Sequence, residues 1–159
     1  MRSISTLLIF GVIAAAVADT ADAQTSYVRY ERAGEISWGE LDGSTIRQLS
    51  EAPYLGGTRT GRTVMQSAVT MKAPVDPTLV FMTAFNFRSH ISGEPAEYPG
   101  LCTVPASSII GSGENIVRPA GSTNLHYEAE MVVVIGRRAE NVSPEDAPNY
   151  IFGVSAGND

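Results

Sequence analysis

Three carboxylates carry the chemistry that this chain most readily suggests. Glu128 and Glu130 sit two residues apart in His126-Tyr127-Glu128-Ala129-Glu130-Met131-Val132-Val133-Val134-Ile135-Gly136, and Asp159 follows at a distance. On a strand, residues two apart project from the same face. Two like charges side by side repel, and a Val/Ile run directly after them marks a strand. A divalent cation would neutralise such a pair, and all-oxygen donors suit Mg2+ or Mn2+. The competing interpretation is a solvated strand face with incidental acids. His90 is a second candidate, since an imidazole can move protons near neutral pH. Glu94, four residues on, shares its face if the segment is helical and could then orient the ring.

The elements that position these residues read as follows. Tyr27–Arg32 and Glu35–Glu40 are short strands around an Ala33-Gly34 turn, and Leu41-Asp42-Gly43-Ser44 is a second turn. Thr45–Leu49 extends this meander. Pro53–Arg62, with three glycines, reads as loop, and 63–72 fits helix or strand equally. Pro74 and Pro77 disfavour helix and make 73–78 a stiff linker. Leu79–Phe85 reads as a buried strand, and Asn86–Ile91 as a helical turn leading away from it. Gly93–Pro105 reads as a long irregular loop of the kind that forms lids. Ser107–Ile110 and Asn115–Val117 read as short strands. Ser143-Pro144-Glu145-Asp146 has the cap, proline and acids of a helix start, with Pro148 keeping the helix short. Tyr150–Val154 is a further strand. Many short strands with few helices predict a β-rich α+β fold.

Composition bounds the function. The 159 residues are 43% hydrophobic and 18% charged, enough for a packed core, and the net charge of −6 argues against a nucleic-acid partner. Arg2, the apolar Ile4–Ala18 stretch and Ala21-Asp22-Ala23 form the pattern of a secretory signal peptide spanning 1–23. The apolar stretch is shorter than the roughly 20 residues of a membrane span, so no stable membrane insertion is expected after cleavage. An uncleaved anchor is the alternative. A secreted or periplasmic location follows from the leader. The single Cys102 cannot form an internal disulfide and reads as a small buried apolar residue. Trp38 and Tyr30 read as packing residues of the first segment.

Several segments together resemble the fumarylacetoacetate hydrolase family. Tyr127–Gly136 is similar to its metal-binding strand, and the likeness continues through Val142-Ser143-Pro144-Glu145-Asp146-Ala147 to Gly157-Asn158-Asp159. Phe85-Asn86-Phe87-Arg88-Ser89-His90 resembles the family's Gly-Leu-Asn-Tyr-x-x-His segment, and Ser107-Ser108-Ile109-Ile110-Gly111 the segment after its substrate loop. Residues 24–72 are similar to the small, variable N-terminal domain of many members, and 79–159 to the first part of the catalytic domain. The resemblance implies a mixed β-sandwich roll, usually homodimeric. It implies Mg2+ or Mn2+ held by Glu128, Glu130 and Asp159, and His90 with Glu94 handling protons. Asn86 and Arg88 are the implied substrate contacts. The implied substrates are small 2-oxo or 1,3-dioxo acids, acted on by hydrolysis, decarboxylation or isomerisation. Two departures stand out. The family's partner Glu sits three residues after its His, where this chain has Gly93, with Glu94 one residue further on. The family's Phe-x-Lys-Pro is here Cys102-Thr103-Val104-Pro105, so Val104 stands where the cation is expected, and Arg88 is the nearest substitute. A binding or structural module without catalysis is therefore the alternative. The resemblance also implies a longer catalytic domain, with this sequence an N-terminal fragment of it.

Overall fold

The computed structural model describes residues 24–159; the signal-peptide reading of 1–23 lies outside the described residues. The molecule is strand-rich, as expected. Nine strands run in order: β1 Ser26–Arg32, β2 Glu35–Asp42, β3 Thr45–Leu49, β4 Arg59–Met65, β5 Thr70–Lys72, β6 Val80–Ala84, β7 Gly100–Val104, β8 Ala129–Ile135 and β9 Ile151–Asn158. Single 3-10 turns provide the helical segments among the described residues.

The first five strands form one antiparallel sheet in the order β4-β3-β2-β1-β5. Its register begins at the β1–β2 hairpin, where Arg32 faces Glu35 across Ala33-Gly34. Both turn residues have positive φ, 53° and 82°, the geometry that matches a two-residue turn to strand twist. Gly34 adopts it without steric cost; Ala33 does not. With that register set, Val28 and Tyr30 fall on one face of β1 and meet Ile46, which is wholly buried. Leu41, Val64, Val69 and Met71 pack around them. Gly39 is required here, because a Cβ would lie 2.3 Å from Ile46 Cγ2 and 2.9 Å from the Arg47 carbonyl oxygen. Tyr30 is buried as anticipated. Trp38 lies opposite Arg29, whose guanidinium sits 5.7 Å from the ring centroid.

The remaining strands form two separate antiparallel ladders, β6–β7 and β8–β9. Five expectations fail in detail. The loop expected over Pro53–Arg62 ends early, because Arg59 already pairs with Leu49 across a bulge. Gly93–Pro105 is not irregular throughout: Gly100–Val104 pairs residue for residue with Ala84–Val80. Ser107–Ile110 and Asn115–Val117 do not form strands; Ala106–Ser108 is a 3-10 turn, and 109–128 stays irregular. β-branched side chains alone do not make a strand without a neighbour to pair with. Ser143 does cap, its Oγ accepting from the Asp146 N–H at 3.2 Å, but only a turn and the 3-10 segment Ala147–Tyr150 follow. Pro148 lacks the N–H that would extend an α-helix. Cys102, expected buried, is exposed on β7.

The first sheet is tied to later segments of the chain at named points. Lys72 at the end of β5 reaches Glu31 at 3.1 Å and Glu114 at 3.2 Å. Glu114 also accepts from the Gly111 N–H. Gly111 presses so closely on β5 that a Cβ there would meet the Lys72 backbone at 2.7 Å. Arg29 pairs with Asp76 at 3.2 Å. Phe152 of β9 lies against Tyr27 and Tyr54, with centroids 5.4 Å and 6.0 Å away.

Candidate metal centre and proton-transfer site

The β8–β9 ladder positions the carboxylates. Ala129 pairs with Asn158 and Glu130 with Gly157, so the register sets Glu128 across from Asp159. The Asp159 N–H donates to the Glu128 carbonyl at 2.9 Å, and the Glu128 N–H donates to Asn158 Oδ1 at 3.1 Å. Residues directly opposed in an antiparallel pair share a face. Glu128, Glu130 and Asp159 therefore share one face, with Gly157 across from Glu130. A Cβ on Gly157 would lie 2.7 Å from Val132 Cγ2 and 4.0 Å from Glu130 Cβ, so the close packing of Val132 beside the acids requires a glycine there. Three carboxylates on one face supply hard oxygen donors of the kind that fit a divalent cation. Among the described residues, no three acidic, His or Cys side chains converge into a finished metal cluster.

His90 lies at the end of the 3-10 turn Arg88–His90, its N–H donating to the Phe87 carbonyl at 2.9 Å. Its ring packs beside Phe87, centroids 6.0 Å apart. The helical route to Glu94 is absent. Ile91 is extended (φ −106°, ψ 123°) and Gly93 turns at φ 90°, so His90 and Glu94 do not share a helix face. Arg88 Nη1 donates to the Gly93 carbonyl at 3.0 Å, which bridges this turn. Asn86 Nδ2 donates to Thr83 Oγ1 at 3.0 Å, back onto β6. Val104 is half-buried and pairs with Val80. Phe85, expected at the end of a buried strand, is exposed and holds φ 57°, a conformation that bulky residues rarely adopt. No residue pattern signals that strain. Phe85 and His90 line one cavity together with Ile91, Ala96 and Tyr98. A second concavity, over the first sheet between Arg32, Glu35, Gln48 and Arg62, contains none of the candidate residues.

Two family models divide the chain. Residues 79–159 match the fumarylacetoacetate (FAA) hydrolase C-terminal model, and 26–74 match the Rv2993c-like N-terminal model. The chain belongs to the fumarylacetoacetate hydrolase family. Protein Rv2993c of Mycobacterium tuberculosis is 33% identical over 129 residues, covering 79% of this chain and 48% of its own length. The Escherichia coli homoprotocatechuate catabolism bifunctional isomerase/decarboxylase is 37% identical over 83 residues, covering 50% of this chain and 19% of that protein. The crystal structure of 2-hydroxyhepta-2,4-diene-1,7-dioate isomerase from Mycobacterium marinum superposes with a TM-score of 0.75 at 26% identity. That match covers 86% of this chain and 54% of the other. The chain thus spans about half the length of these better-covered relatives. Enzymes of this family include isomerases, decarboxylases and hydrolases.

Proposed function

We propose that this chain supplies the cation-binding strand and the proton-transfer turn of a divalent-metal-dependent enzyme acting on small 2-oxo or 1,3-dioxo acids. The observation that supports this reading is the end of the β8–β9 ladder, where Glu130 lies opposite Gly157 and the Asp159 N–H donates to the Glu128 carbonyl, so the register puts the three acids on one face. Mg2+ or Mn2+ held there would polarise a dicarbonyl oxygen pair and stabilise enolate charge. Glu128 and Glu130 would hold the cation from the start of β8, and Asp159 from the residue after β9. His90 accepts a proton at an imidazole nitrogen, from water or from a substrate carbon. Asn86 and Arg88 flank the turn as substrate contacts. Val104 offers no charge, so Arg88 must leave the Gly93 carbonyl if it is to meet a substrate anion. Family membership supports enzymatic chemistry at the level of C–C bonds and keto/enol forms; the leader pattern over 1–23 supports a secreted or periplasmic location, and the family resemblance supports a homodimer.

The test is turnover of a 2,4-dioxo acid by the purified protein. Activity should require Mg2+ or Mn2+, disappear with chelator, and fall at least a hundredfold in His90→Asn with metal affinity unchanged. Metal-independent turnover would contradict the reading. Metal binding without any turnover would favour the alternative, a family-like binding module whose cation was replaced by Val104.

A further inference from the structure

The cavity beside His90 has a volume of about 570 Å³, within the ~300–1,000 Å³ typical of small-ligand sites. Phe85, Ile91, Ala96 and Tyr98 give it apolar walls, and His90 is its only described basic group. No lysine, arginine or carboxylate lines it among the described residues. Phe85 is held at φ 57°, and Phe85 and Tyr98 are 72% and 74% exposed. A bulky residue kept in a strained conformation, with its ring uncovered, is a recurrent mark of a binding site. The two rings offer flat apolar faces that a planar group would cover.

We propose that this cavity receives the uncharged, ring-bearing tail of an oxo-acid substrate, with Phe85 and Tyr98 setting specificity. This deepens the reading above and rests on His90 belonging to the reacting site. A second carboxylate on the substrate would meet no lining arginine or lysine; the nearby Arg88 is held by the Gly93 carbonyl, so the desolvation would go uncompensated. An aryl tail gains contact with both rings. The selected substrates are therefore aryl-tailed oxo acids rather than dicarboxylic ones.

The experiment is calorimetric titration of the full chain, with saturating Mg2+, using phenylpyruvate and 2-oxoglutarate. Phenylpyruvate should bind roughly tenfold or more tightly than 2-oxoglutarate. Tyr98→Ala and Phe85→Gly should bring the ratio close to one, and Tyr98→Lys should invert it. Glu128→Gln should weaken both ligands in parallel and leave the ratio intact. Equal affinities, a preference for 2-oxoglutarate, or no binding of either ligand would overturn the proposal. If Tyr98→Ala collapses the ratio while Glu128→Gln leaves both affinities unchanged, the cavity assignment stands and the metal reading falls.

Discussion

The sheet over 26–74 and the ladders over 79–159 are built from similar short strands, yet they hold their apolar residues differently. Val28, Tyr30, Ile46, Leu49, Ala52 and Ala73, the buried hydrophobic residues, all lie in the first region or its linker. In the second, Phe81, Leu101, Met131 and Val154 are more than half exposed. A five-stranded sheet can close a core with its own side chains, whereas a two-stranded ladder cannot. The first region is therefore a scaffold. The second carries the carboxylates, His90 and the cavity, and its order leans on contacts such as Gly111 with β5 and Phe152 with Tyr27.

The contrast can be broken most directly by equal truncations. Ile46→Ala should cost about 3 kcal/mol of stability, since it empties a wholly buried position. Denaturant unfolding followed by Trp38 fluorescence measures it. Met131→Ala, at a position 73% exposed, should cost below about 1 kcal/mol. Similar losses at both sites would show that the second region has a core as closed as the first. Next in size is Gly111→Ala, which drives a methyl into the Lys72 backbone and should cost about 1–3 kcal/mol. The loop around 111–114 should then become sensitive to limited proteolysis while the Trp38 signal stays native.

The smallest effect is electrostatic. The Gly111 N–H and then Lys72 hold the Glu114 carboxyl below its usual range. Glu31, followed by Glu114, raises Lys72. A lowered carboxylate stabilises the folded chain above the ordinary carboxylate pKa, and that contribution is lost as pH falls through the lowered value. A raised lysine contributes fully below its ordinary pKa and loses its contribution as pH rises through the raised one. Lys72→Met should flatten both limbs of the stability–pH curve slightly, and added salt should mimic it in wild type. An unchanged curve would mean that the latch contributes packing alone.

Much of the scaffold was legible because local signals agreed with tertiary ones. Ala33-Gly34 and Gly43-Ser44 mark tight turns, and the strands flanking them pair as the pattern requires. Legibility declined where pairing partners decide. Gly100–Val104 sits between Pro99 and Pro105 and looks like loop until β6 supplies its hydrogen bonds. Cys102 has a buried residue's character but stands on an open ladder. At the site, spacing alone singled out Glu128 and Glu130 as candidates, whereas the position of Asp159 across from Glu128 depends on the β9 register. The positive φ of Phe85 and the loss of helix after His90 depend on how Gly93 and Arg88 close their turn, which residue types alone do not encode.

The most direct test is Mn2+ binding, read by electron paramagnetic resonance, in wild type, His90→Asn and Glu128→Gln. Wild type and His90→Asn should bind alike, and Glu128→Gln should lose at least tenfold in affinity. Undiminished Mn2+ affinity in Glu128→Gln would contradict the claim that the β8–β9 ladder is the metal centre.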